Sequence, residues 1–184
     1  MLPFGHSSMG YLIAQIPIDK KRVLKWYEVV FVMVCANLFD IDFLLPNLIG
    51  YPSGTHHLLA THTPLAGLIY FGLIWILLRK VLSKKAIILG GIALLSHLIL
   101  DDFSYWLYLI GWEGSNPRPQ IFWGFPFDPR RQVEIDRFFA IFNQRPYDNI
   151  NFLVQNYFFK IPKLFYFEIV LTIMAGVTAL KKRF

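Results

Sequence analysis

Cysteine and charge are what this chain has least of. Its one cysteine, Cys35, excludes an intramolecular disulfide framework and a cysteine-rich metal site. It sits in the apolar run VVFVMVCA, where a thiol acts as an inert core or lipid-facing residue. Only 16% of residues are charged, against 55% hydrophobic and 17% aromatic, and the mean hydropathy is +0.46. That is too little charge for an ordinary water-soluble domain, so an integral or deeply embedded membrane protein is expected. A phosphate-binding P-loop and a GxSxG nucleophile elbow are both missing. So are low-complexity tracts and any repeat with a period of about 20 to 50 residues. The 184 residues therefore suit one domain, residues 1–184. The opening MLPFGHSSMG has no basic stretch before its apolar residues and is expected to stay in the mature chain rather than be cleaved as a signal peptide.

The charge that is present is placed with a pattern. Lys and Arg number 18 against 12 Asp and Glu, but they gather at Lys20, Lys21, Arg22 and Lys25, at Arg79, Lys80, Lys84 and Lys85, and at Lys181, Lys182 and Arg183. These clusters flank apolar runs, the position of topology-setting charge, and point to membrane lipids rather than nucleic acid as the partner. The runs are Trp26 to Leu48, Pro64 to Leu82, Ala86 to about Trp112, and Leu164 to Leu180, preceded by a short piece, Met9 to Ile18, that suits an interfacial helix. Thr63 and Pro64 read as the cap and first position of a helix. The fold class expected is all-α: a membrane-embedded bundle of about four long apolar helices, a short N-terminal helix and an aromatic-rich extramembrane loop. Each run is short or polar-interrupted for a full span, so half-embedded helices remain an alternative.

If all four span, the basic clusters share the cytoplasmic side. The loop before Thr63, the ends of the first and third runs, and the loop Glu113 to Lys163 then share the other side. His6 resists this scheme, because it precedes the first basic cluster. The long loop, with NPRPQIFWGFPFDPRR in it, suggests a packed lid or interfacial layer. A short helix is expected around Val133 to Asn143, and Arg130, Arg131, Arg137 and Arg145 are available to an anion or to lipid headgroups.

Against this apolar background the ionisable residues stand out. His97 and Asp101 are four apart, so on a helix they share a face and can reach one cation; as an isolated pair they could equally glue two helices. Asp102 lies about 100° further round and suits an outer partner or a contact to the aromatic loop. Asp40 and Asp42 are two apart, which on an intact helix points them apart. Either only one binds directly, or the helix loosens before Pro46 so that both turn inward. Carboxylates in such a run cost about 2.5–3.5 kcal/mol each on insertion scales, and call for a cation or buried partner. In GTHHLLATHTP, His57 falls in a loop and His62 at a helix mouth, so the pair can converge; His56 reads as a bystander. Imidazole with carboxylate and no thiolate suits Zn2+, with Mn2+ or Fe2+ as alternatives, and the surplus of candidate ligands suggests two ions.

With these residues assembled, the sequence resembles the YdjM-like family of inner-membrane, metal-dependent hydrolases. His6 matches its early histidine. LFDIDFL matches its PDID-type motif with Phe39 in place of the proline, and HLLATHT matches its HRGxTHS-type motif with Leu58 and Leu59 in place of arginine and glycine. LSHLILD matches its SHxxxD motif, and FWGFPF is a looser match to its WPF-type motif. The resemblance covers roughly the first two thirds of the chain. It implies an all-helical fold distantly similar to zinc-dependent phospholipase C, with His6, Asp40, Asp42, His57, His62, His97 and Asp101 as the metal shell.

The function expected is hydrolysis of a phosphoester or related ester, small or lipid-derived, by metal-bound hydroxide in a two-zinc site. Asp102 or Asp42 would be the general base, at the non-cytoplasmic face of the inner membrane. The alternative is a metal-binding or ion-transporting membrane protein without hydrolase activity.

Overall fold

The computed structural model describes residues 3–17, 23–44, 57, 59–112, 119–127 and 162–181. All regular structure among them is helical: α1 (Pro3–Ala14), α2 (Trp26–Ala36), a 3-10 turn (Phe39–Leu44), α3 (Pro64–Leu78), α4 (Lys84–Asp101), α5 (Phe103–Leu109) and α6 (Pro162–Lys181). His56, the four arginines of the long loop and the helix expected at 133–143 lie outside the described residues.

The helix ends follow local chemistry. Thr63 caps α3 by accepting the Ala66 N–H, with Pro64 at the first helical position, as its residue type predicts. Ser83 caps α4 in the same way through Ala86 N–H. Helix α2 stops at Ala36, short of the expected Leu48. The Asn37 amide there turns back onto the Met33 carbonyl and across to Ser7, and the chain tightens into the 3-10 turn. The third run is also two helices, α4 and α5, bent by 65°. No single helix among the described residues is long and apolar enough to cross a membrane; α4 and α5 pass that test only together.

Helices α2 and α4 run side by side in the same direction. The Ser83 N–H at the start of α4 donates to Glu28 near the start of α2, and His97 near the end of α4 donates to the Ala36 carbonyl at the end of α2. Helix α1 packs antiparallel to α2 at very close range, since a Cβ on Gly10 would lie 2.8 Å from Ala36 Cβ and 2.9 Å from Met33 Cα. Only glycine permits this approach, and it brings His6, one turn earlier, to the C-terminal end of α2. Helix α3 returns along α4, with Gly67 against Leu94.

One apolar cluster, built around Val32, Cys35, Ala36, Leu89 and Ala93, fills the end where α2 and α4 begin and the middle. A second, Phe39, Ala66, Leu94, Leu98 and Ile121, underlies the histidines. Each fully buried Leu, Ile or Phe contributes about 1.5–3 kcal/mol relative to exposure to water. Outward faces are apolar as well: Leu68, Leu73 and Ile76 on α3 and Val170, Ile173 and Leu180 on α6 are all more than half exposed. Apolar surface on this scale marks an interaction surface, of which a membrane is one kind.

Candidate metal centre

Five backbone pieces deliver ionisable side chains to one end of the bundle. They are the start of α1 (His6), the 3-10 turn (Asp40, Asp42), position 57, the residue pair before α3 (His62 with Thr63), and the end of α4 (His97, Asp101). His6, His62 and His97 are fully buried, and Asp101 is only 5% exposed. Asp101 is the hub. Its Oδ1 lies 3.1 Å from His6 Nε2, while its Oδ2 lies 2.9 Å from His62 Nε2, 3.0 Å from His97 Nε2 and 3.6 Å from His57 Nδ1. The His6 and His97 rings stack at 3.9 Å, and those of His57 and His62 meet edge to face at 4.6 Å.

His97 carries the most telling geometry. Its Nδ1 is 2.7 Å from the Ala36 carbonyl; a carbonyl only accepts, so the proton is on Nδ1. Its Nε2 faces Asp101 Oδ2 at 3.0 Å and Asp40 Oδ1 at 3.6 Å. It has no aligned hydrogen bond to either, because it is buried without a hydrogen-bond partner. Polar atoms left unpaired in a buried site are costly unless a cation lies between them. An imidazole whose far N–H is held by a backbone carbonyl is the usual outer support of a metal-binding histidine. His6 Nδ1 and Asp40 Oδ2 are likewise buried without hydrogen-bond partners.

Two groups result. One ligand atom each from His6, Asp40 and His97, and one each from His57, His62 and Asp101, lie within 4.8 Å of one another in their group. Nitrogen and oxygen donors in threes fit divalent zinc-type chemistry. The 3-10 turn settles the choice that spacing alone left open. With about three residues per turn, Asp40 and Asp42 diverge by roughly 120°, Asp40 toward His97 and Asp42 toward His62.

Asp42 belongs to neither group. Its carboxylate accepts the Thr61 hydroxyl at 2.6 Å and lies 3.4 Å from His62 Nδ1 through both oxygens, an arrangement that orients His62 with Nε2 toward Asp101. Asp102 is placed apart as well. Its carboxylate accepts the N–H groups of Gln120 and Ile121 and the Trp123 indole N–H at 2.6 Å. It thereby ties the segment 119–127 beside the site. The contact to the aromatic segment that its helical position allowed is the one it makes, and three donors occupy most of its acceptor sites.

Burial lowers the His6 pKa to about 4, outweighing its bond to Asp101, and so keeps the imidazole in the neutral, metal-binding form. His62 goes the other way. Burial opposes its charge, but the hydrogen bonds to Asp101 and Asp42 prevail and raise it to about 9. Burial raises Asp40.

Phe39 is a residue that a search for ligands misses. It is 1% exposed, and its ring lies 5.2 Å from that of His62, 5.3 Å from His97 and 5.5 Å from Tyr70. It forms the apolar wall that keeps the imidazoles dry. The only sequence signal for it is that it stands where the related motif has proline.

A protein whose described residues are all-helical in their regular structure, with exposed apolar helix faces and two His/Asp groups able to hold metal ions, is the class these features define. The chain belongs to the YdjM inner membrane protein family, whose profile matches residues 1–182. No curated protein and no solved structure matches it.

Proposed function

We propose that this protein is a metal-dependent hydrolase of the inner membrane, acting on a phosphoester or related ester that reaches it from the lipid phase. The observation that carries the reading is His97 Nε2, a buried ring nitrogen without a hydrogen-bond partner that faces two carboxylates while the other nitrogen is committed to the Ala36 carbonyl. His6, Asp40 and His97 would hold one ion and His57, His62 and Asp101 a second, zinc by ligand type. When bound, such ions lower the pKa of water to about 7 and polarise the substrate oxygen.

The remaining work falls to the chain. Asp42 and Thr61 hold His62 in register, Phe39 excludes water from below, and Asp102 fixes the segment 119–127 at the side. Of the site carboxylates, Asp40 keeps an oxygen, Oδ2, without a hydrogen-bond partner, and its side chain is 21% exposed. We assign it the proton taken from water, in place of Asp42 and Asp102. Lys25, Arg79, Lys80, Lys84 and Lys85 lie at the opposite end of the bundle. This supports a multi-pass arrangement with the site on the non-cytoplasmic side. An ion path would string its charged groups through the membrane depth, whereas these gather at one end, which favours catalysis over transport.

The test is elemental analysis of the purified protein, followed by a screen of phosphoesters and phospholipids with and without chelator. The expected result is bound zinc and a chelator-sensitive cleavage that His97→Ala abolishes together with the metal. A metal-free protein, or full metal occupancy in His97→Ala, would overturn the reading.

A further inference from the structure

Helices α1 and α6 border an open groove that the metal centre does not use. It has a volume of about 340 Å3 and is lined by Ser7, Tyr11, Met33, Thr172, Gly176 and Ala179 among others. That is the lower part of the range for small-molecule sites, about 300–1,000 Å3. Its polar atoms are already provided for along the floor. The Thr172 hydroxyl donates to the Glu168 carbonyl at 2.8 Å, so in its 3.2 Å bond with Ser8 the Ser8 hydroxyl is the donor. Both protons are committed within the chain.

One end differs. Ser7 accepts from the Asn37 amide at 3.0 Å, which leaves its own hydroxyl proton uncommitted by that bond. Ser7 directly follows His6, about 100° further round α1. The groove therefore has an apolar body and a polar end at Ser7, the residue after His6.

We propose that this groove seats one acyl chain of a membrane lipid, with the ester end of that lipid at Ser7. The inference deepens the hydrolase reading by naming the substrate as an acyl lipid, and rests on it only for the fate of the head. Two observations favour an alkyl chain. The groove is open to its surroundings rather than enclosed, and its accessible lining is almost wholly apolar. The walls beside it, Phe4 on α1 and Ile173 and Val177 on α6, are exposed and apolar in a chain of an inner membrane family, so lipid tails are the solvent at its mouth.

Gly176 allows a clean block, because a Cβ added there meets nothing within 4 Å. The full chain, metal-loaded, is placed in vesicles of phosphatidylethanolamine and phosphatidylglycerol. The vesicles carry a low fraction of phospholipid with a diazirine at the end of its acyl chain, and photoadducts are located by mass spectrometry. The expected result is a several-fold excess of adducts at Tyr11 and Met33 over the lipid-facing Leu73 and Ile76 of α3. Gly176→Leu should remove that excess while α3 labelling and metal content stay unchanged; Ala179→Leu is the second block should the first lower yield. Equal labelling of both faces, labelling indifferent to both blocks, or self-association of the chain through α1 and α6 would overturn the proposal. Labelling is read without hydrolysis and is expected to survive chelation, so loss of the hydrolase reading and loss of the groove give different results.

Discussion

Glu28 and Asp101 are carboxylates buried at opposite ends of the same helix pair, 1% and 5% exposed, and they are met in different ways. Glu28 Oε1 accepts the Ser83 N–H and Oε2 the Lys25 N–H, both at 2.9 Å. Each oxygen faces a backbone donor at a helix start, where four N–H groups lack intrahelical partners and negative charge is favoured. Asp101 faces ring nitrogens instead: His62 Nε2 at 2.9 Å, His97 Nε2 at 3.0 Å and His6 Nε2 at 3.1 Å. Asp102, one residue on, resembles Glu28: backbone and indole N–H groups surround it. A carboxylate buried to hold the fold together is thus met by backbone and indole donors, whereas Asp101 is met by imidazoles, side chains that can also ligate a metal ion.

Asp101→Asn strikes at this contrast with the largest effect. The amide keeps the volume but brings N–H donors to a point shared by four histidines and removes the charge both groups use. Bound metal should fall to background by elemental analysis, with the helical content by circular dichroism retained. Metal retained at wild-type stoichiometry would place the ions elsewhere.

The paired substitutions Asp40→Asn and Asp42→Asn come next and test the division of labour in the 3-10 turn. Asp40→Asn removes a ligand and should empty its group. Asp42→Asn removes only the support of His62, for which outer partners typically account for 10–100-fold in metal affinity. Competition against a chelating dye separates the two, and equal losses would return Asp42 to the ligand set.

Much of this end of the molecule was legible before any coordinates. The Thr63–Pro64 helix start, the four-residue spacing of His97 and Asp101, and the convergence of His57 with His62 all follow from local rules, and the structure has each. The placement of basic clusters also anticipated that the charged residues would gather at one end. His6 was the exception, because counting spans put it on the wrong side. Helix α1 needs no span: it is 12 residues, about 18 Å, folded flat against α2 at Gly10. That contact pairs residues far apart in sequence, which no periodicity announces. The break at Asn37 was hidden for a similar reason, since WYEVVFVMVCANLFDIDFL is apolar throughout and only the amide's bonds to Met33 and Ser7 mark where the helix yields. The outer roles of Asp42 and Asp102 depend on which donors a folded chain brings to them.

Glu28→Gln probes the other side of the comparison with a smaller effect. The amide can accept through one oxygen only, and its nitrogen would face a backbone N–H, so one helix start loses its acceptor. An unmet buried group costs about 1–3 kcal/mol. The expected outcome is a lower thermal unfolding midpoint in detergent with metal content unchanged. A loss of metal in this variant would mean that the two ends are not independent.

The gentlest probe is pH, read through His62. Its pKa in the folded chain, about 9, stands above the ordinary 6.5 because Asp101 and Asp42 hold its proton against the cost of burial. In the metal-free chain the stabilisation this provides is complete below about pH 6.5 and is lost as pH rises through about 9. Metal must displace the same proton, so apparent affinity should climb with pH over that window, by up to about tenfold per unit for one proton released, and level off above it. Unfolding of the chelated protein and dye competition across the window should therefore move in opposite directions. In Asp42→Asn, which lacks one of the two carboxylates, both transitions should shift to lower pH; if they stay in place, Asp42 is not what holds the His62 proton.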